Sequence, residues 1–283
     1  VSKVDLHLHS SASDGVLSPA GVVDRAAELG LTVISLTDHD NVDGIAPALK
    51  AAKKYPSLVV IPGIEINTDT STGEVHILGY YIDHTNPEFL TALKKMRDSR
   101  MIRAQKIIEK LSALGMPIEW ERVKELSGDG SVGRPHIARA LLEKGYIETI
   151  KEAFSKYIGF RGPAYVPREK ITPAEAIEMI TGAEGLAVLA HPLGIPNLDT
   201  LLKKLVKAGL IGLEVYYKDY SSEDRESLAG LADRYGLIVT GGTDYHGLDD
   251  HVEVMIGEAG VPPYVADNLI ALAESRSMKS TLL

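Results

Sequence analysis

The chain has no cysteine among its 283 residues. That excludes a disulfide framework and a thiolate metal site, so a transition metal here can be held only by imidazole and carboxylate. No apolar run approaches the roughly 20 residues of a spanning helix, so no membrane partner is expected. The sequence has no G-x-S-x-G elbow, and Gly241-Gly242-Thr243 lacks the lysine of a phosphate-binding loop. Serine-hydrolase and P-loop chemistry are therefore unsupported. The strand-like run from Val4 to His9 stands almost at the N-terminus, which suggests no signal peptide and a cytoplasmic setting.

The remaining composition is that of an ordinary folded protein, with 45% hydrophobic and 24% charged residues. The formal net charge of -9 argues against duplex nucleic acid as a partner. That charge is unevenly spread. Residues 86–165 hold 15 Lys and Arg against 10 Asp and Glu, a net of +5, and the rest carries -14. A basic segment over an acidic scaffold suits a small anionic substrate.

Short β-rich runs alternate with helical ones over the first 85 residues, with strands expected at 4–9, 32–37, 58–67 and 74–82. Ser18-Pro19 and Thr172-Pro173-x-Glu175 are helix-start signals. Residues 87–114 read as one long helix in which Arg97, Arg100, Arg103 and Lys106 recur every third position. That row drifts around the helix, so a solvated surface is expected for most of it. A loop is expected at Gly128-Asp129-Gly130, helices near 135–144 and 147–157, and a strand-like piece at Ala164-Tyr165-Val166. The alternation then returns, with strands at 186–190, 211–217 and 237–240 and a last helix near 263–275. The expected architecture is α/β: strand–helix units forming a parallel sheet, closed or nearly closed into a barrel, with a doubly wound sheet as the alternative. The barrel would comprise 1–85 and 166–283, interrupted by an all-helical insertion at 86–165.

In such a barrel the site lies at the C-terminal ends of the strands. There the sequence places His7-x-His9 with Asp14, then Asp38-His39-Asp40, Glu65, His76, His191, Glu214 and Asp244-x-His246. Residues two apart on a strand share a face, so His7 with His9, and Asp244 with His246, would point the same way. Six of nine histidines fall at these positions; His84, His136 and His251 do not. Nine candidate ligands (His7, His9, Asp14, His39, Glu65, His76, His191, Asp244, His246) are too many for one ion and enough for two or three. Imidazole and carboxylate suit manganese, iron or zinc. Such a cluster activates water and neutralises phosphate oxygens.

These motifs, His7-Leu8-His9-Ser10 with Ser13-Asp14-Gly15, Thr37-Asp38-His39-Asp40, Gly63-x-Glu65, His76-x-x-Gly79, Ala190-His191-Pro192 and Thr243-Asp244-x-His246-Gly247, resemble in kind and order the PHP family of polymerase and histidinol phosphatase domains. The resemblance implies a distorted (β/α)7 barrel with a trinuclear metal site, manganese first among the candidates. It implies one ion on His7, His9, Glu65 and Asp244, a second on Glu65, His76 and His191, and a third on Asp14, His39 and His246. Asp38 would orient a ligand or handle a proton, and His191 would take part in catalysis.

The helical insertion resembles that of stand-alone family members acting on 3′,5′-nucleoside bisphosphates or on the 5′ end of short single-stranded RNA. Gly133-Arg134-Pro135-His136 looks like their phosphate-binding segment, with Lys156 and Arg161 as further candidates. Arg161-Gly162-Pro163 departs from the expected Gly-Lys-Pro. The implied activity is metal-dependent hydrolysis of a phosphomonoester on a small nucleotide. Histidinol-phosphate phosphatase and a non-catalytic PHP module are the alternatives. The sequence sets no oligomeric state.

Overall fold

The computed structural model describes residues 3–71, 73–128, 132–167, 171–248 and 254–281, with side chains up to 276. Asp129 and Gly130 of the expected loop, and His251, lie outside the described residues. Seven strands form one sheet in chain order: β1 Val4–Leu8, β2 Val33–Leu36, β3 Val59–Thr70, β4 Gly73–Tyr80, β5 Leu186–Leu189, β6 Gly212–Tyr217 and β7 Ile238–Gly242. Helices α1 Pro19–Glu28, α2 Ile45–Ala52, α7 Pro173–Gly182, α8 Leu198–Lys207, α9 Ser222–Arg234 and α10 Pro263–Thr281 belong to the same layered body.

The sheet nearly closes. His9 N donates to Tyr245 O at 3.0 Å and Asp244 N to His7 O at 2.9 Å, joining the end of β1 to the segment after β7. Gly242 permits this approach, because a Cβ there would stand 2.4 Å from His7 N.

The expectation of an all-parallel sheet is corrected at β4. It pairs antiparallel with both β3 and β5, while the β1–β2, β2–β3, β5–β6 and β6–β7 pairs are parallel. The reason is chain length: β3 ends at Thr70 and β4 begins at Gly73, whereas a parallel crossover needs a dozen residues or more. The reversal brings the N-terminal half of β4, and His76 with it, to the rim where the other strands end.

The segment after β4 is helical: α3 Pro87–Ala113, α4 Trp120–Ser127, α5 Arg134–Glu143, α6 Ile150–Ala153 and a π-helical turn Phe154–Ile158. Helix α3 starts on Pro87, with Asn86 accepting from the amides of Glu88 and Phe89. Its first half buries Phe89, Leu93 and Met96 in the barrel core. Its second half buries Ala104, Ile107 and Leu111 in a separate core with Val123, Ile137, Leu141, Ile158 and Ala164. One helix thus belongs to both bodies and carries the helical segment above the rim.

Two local expectations change. The helix expected at 147–157 gives way to α6 and the π turn. Residues 164–166 form no strand, since their polar groups bond elsewhere: the carbonyls of Tyr165 and Val166 accept from Lys110 and Arg103. Helix α4 has no side-chain cap at Glu119 and lacked a sequence signal. Among the described residues no helix is long and apolar enough to cross a membrane.

Candidate metal centre

All nine imidazole and carboxylate residues named from the sequence meet at one rim. His7 Nε2 lies 3.3 Å from Glu65 Oε2 and 3.4 Å from Asp244 Oδ1. His9 Nε2 lies 3.3 and 3.1 Å from the same two oxygens. His76 Nδ1 and His191 Nε2 approach the other oxygen of Glu65, at 2.8 and 3.1 Å. His246 Nε2 lies 3.4 Å from Asp14 Oδ1 and His39 Nε2 3.9 Å from Asp14 Oδ2.

Three overlapping groups have ligand atoms close enough to share an ion: His7, His9, Glu65 and Asp244; His9, Asp14, His39 and His246; and His39, Glu65 and His76. His9 and His39 each belong to two groups, whereas the resemblance placed each in one.

Strand alternation does not account for all of this. His9 lies beyond β1, and Asp244 and His246 lie beyond β7. Asp244 and His191 adopt positive φ values of 51° and 27°. Backbone of this kind is costly for non-glycine residues and persists where surroundings hold it. The surroundings are visible. Tyr217 donates its hydroxyl to Asp244 Oδ2 at 2.8 Å, and Lys218 donates to Asp244 O at 3.1 Å. Asp5, buried on β1, accepts from Thr243 N and Oγ1 and from Gly257 N. Burial pushes the Asp5 carboxyl up to about 6 despite those bonds.

The electrostatics are those of a cation site. Burial would raise the carboxyls of Asp14, Glu65 and Asp244, yet the facing histidines hold all three well below the usual range. Burial would lower His7 and His246, yet the carboxylates push His7 well above its ordinary value and His246 up to about 10. For His39 burial wins, and its pKa falls to about 3. The carboxylates thus draw protons onto imidazoles, a charge that divalent cations would supply instead.

A second observation agrees. His7 Nε2, both ring nitrogens of His9, Asp14 Oδ1 and Glu65 Oε2 are buried without an aligned hydrogen bond. Buried polar atoms left so are costly unless a cation satisfies them. The residues present therefore fit a cluster of divalent ions.

Asp38 stands behind this cluster. Its Oδ1 accepts from Ser10 N and Ser13 Oγ and its Oδ2 from Ser10 Oγ, each at 2.7 Å. It shapes the turn that carries His9 to Asp14.

A cleft of about 210 Å³ opens between the cluster and the helical segment. Asp14, His39, His76 and His246 line one side, and Arg100, Arg103 and Arg134 the other. Arg100 and Arg103 correct the expectation of a solvated row. They sit where α3 crosses from one core to the other, and their side chains are 11% and 10% exposed.

Arg134 and Arg103 both reach Glu74 at the start of β4. His136 is buried; its Nδ1 accepts from Gly133 N at 3.0 Å, and burial lowers its pKa to about 4. Lys156 and Arg161 stand apart from these groups. Lys156 is exposed and paired with Glu152, one turn away on the same surface. Arg161 is exposed, with its guanidinium over the Phe160 ring. Neither lines the cleft.

The barrel and its imidazole–carboxylate centre, taken with the likenesses that follow, mark the chain as a metal-dependent phosphoesterase, a hydrolase of phosphate esters. The chain belongs to the PHP family, whose PHP domain matches residues 5–162. It is 38% identical over 248 residues to a 5′-3′ exoribonuclease of Haemophilus influenzae, covering 86% of this chain and 90% of that one. It is 34% identical over 251 residues to a 3′,5′-nucleoside bisphosphate phosphatase of Chromobacterium violaceum, covering 87% and 88%. A crystal structure from Bifidobacterium adolescentis, described as a metal-dependent phosphoesterase, matches with a TM-score of 0.85 at 31% identity over 95% of each chain.

Proposed function

We propose that this chain hydrolyses a phosphomonoester on a small nucleotide that carries a second phosphate, either a 3′,5′-bisphosphonucleotide or the 5′ end of a short single-stranded RNA. The observation that carries the reading is the two-sided cleft, with metal-ligating groups on one wall and three arginines on the other. The relatives named for bisphosphate and RNA substrates support the same reading.

His7, His9, Glu65 and Asp244 would hold one ion, Asp14, His39 and His246 with His9 a second, and Glu65 with His76, His191 and His39 a third. The donor set suits manganese, iron or zinc, and the family resemblance puts manganese first. Such ions activate water for attack on phosphorus and offset the charge on the phosphoryl oxygens.

The chain's own residues do the rest. Arg134 and Arg103, held by Glu74, and Arg100, held by Asp40, line the cleft with planar guanidinium groups of the kind that bind phosphate. Ile107, Val132, Ile137 and Phe154 add apolar surface to the lining of the same cleft. His136 stays neutral near pH 7. Its Nδ1 accepts from Gly133 N, so its proton sits on Nε2; the ring is buried and does not line the cleft.

Phosphate release with manganese, compared across a 3′,5′-bisphosphonucleotide, AMP, histidinol phosphate and a short 5′-phosphorylated RNA, tests the proposal. A kcat/KM at least 10-fold higher for the bisphosphate or the RNA than for AMP is expected. Values for AMP equal to those for both the bisphosphate and the RNA would overturn it.

A further inference from the structure

The geometry points to Glu214 as the residue that positions two ligands of the metal centre at once. Glu214 lies on β6 and is fully buried. Its neighbours Leu213 and Val215 pack into the hydrophobic core, so its side chain emerges on the opposite face of the strand. One oxygen, Oε1, accepts from His7 Nδ1 at 2.9 Å. The other, Oε2, accepts from the backbone N–H of His191 at 2.7 Å. A single carboxylate thereby joins β1, β6 and the end of β5 directly beneath the cluster.

Each bond has its own consequence. A proton held on His7 Nδ1 leaves Nε2 as the lone-pair nitrogen, and Nε2 is the atom that faces Glu65 Oε2 and Asp244 Oδ1. The bond to His191 N fixes a residue whose φ is 27°, and in that conformation His191 Nε2 reaches Glu65 Oε1. His7 Nε2 faces Glu65 Oε2 and His191 Nε2 faces Glu65 Oε1, so Glu214 sets the geometry on both sides of that carboxylate.

A glutamine cannot replace it. One amide oxygen can accept from His7 or from His191 N–H, but not from both. If the amide NH2 turns toward His7, it donates to Nδ1 and moves the imidazole proton to Nε2, the wrong tautomer for a ligand. Partners of this kind typically change metal affinity 10- to 100-fold. The inference rests on the metal-centre reading above.

The test titrates metal-free wild type and Glu214→Gln with Mn2+, following the free ion by electron paramagnetic resonance, alongside thermal melting of both metal-free proteins. Wild type is expected to bind two to three ions. The variant is expected to bind at least one of them roughly 10- to 100-fold more weakly, by more than any change in melting accounts for. Equal affinities in both proteins would overturn the role of Glu214 and leave the metal centre standing. No binding by wild type would overturn the metal centre and this role with it. Should the variant fail to fold, long-range 1H–15N spectra of zinc-loaded wild type give the tautomer directly. A proton on His7 Nδ1 supports the inference, and a proton on Nε2 overturns it.

Discussion

Arg100 Nε donates to Asp40 Oδ2 at 2.7 Å, tying helix α3 to the segment that follows β2. Asp40 is fully buried, and its other oxygen accepts from Asn67 N. The pair fixes the helical segment over the rim and the wall of the cleft in one contact. Arg100→Ala would remove this cation from a buried carboxylate, at a cost of about 3 kcal/mol. Thermal unfolding should show a drop of several degrees. An unchanged melting temperature would mean that the pair contributes nothing to holding the segment in place.

Arg134→Ala should raise KM for the bisphosphate at least 10-fold and for AMP by much less, if the arginine wall holds the second phosphate as proposed. Lys156→Ala should change neither, since Lys156 is exposed, is paired with Glu152 and does not line the cleft. Steady-state kinetics on both substrates checks this. A larger effect from Lys156 than from Arg134 would move the phosphate site to the outer surface of the helical segment.

Asp38→Ala would strip partners from Ser10 N, Ser10 Oγ and Ser13 Oγ in a buried turn. A loss of about 3 kcal/mol is expected, with weaker binding of the ion assigned to Asp14. Unfolding and metal titration measure the two effects. Unaltered stability together with a shifted pH profile of kcat would instead make Asp38 a proton carrier.

His136 contributes a pH dependence of definite sign. Its pKa is near 4 when folded and about 6.5 when unfolded. Between those values the unfolded chain binds the extra proton, so stability is present above about pH 6.5 and falls as pH drops toward 4. His136→Asn keeps an acceptor for Gly133 N but cannot titrate. The variant should lose less stability than wild type over that window in denaturant unfolding. Parallel pH curves for the two proteins would refute the assignment.

Much of the site was legible because its residues are chemically conspicuous. Nine imidazole and carboxylate groups at the ends of β-rich runs, in a chain without cysteine, left metal ligation as their common use. Their convergence was harder to read. His9, Asp244 and His246 lie past the strand ends, where period-two alternation no longer applies, and positive φ values aim two of the ligands.

The antiparallel β4 could have been anticipated, since too few residues separate β3 and β4 for a crossover helix. Arg100 and Arg103 were hidden by their regular spacing, which looks the same on a solvated helix as on one running between two cores. Glu214 and Asp5 carried only the weak signal of an acid inside a hydrophobic strand. What each acid bonds to depends on strands more than 200 residues away in sequence.

The central claim is that this rim holds a cluster of divalent cations serving phosphate-ester hydrolysis. Anomalous diffraction at the manganese edge, from crystals grown with Mn2+, tests it most directly. The account predicts two to three peaks bounded by His7, His9, Asp14, His39, Glu65, His76, His191, Asp244 and His246. A map with no peak among these residues, from protein that still releases phosphate, would contradict it.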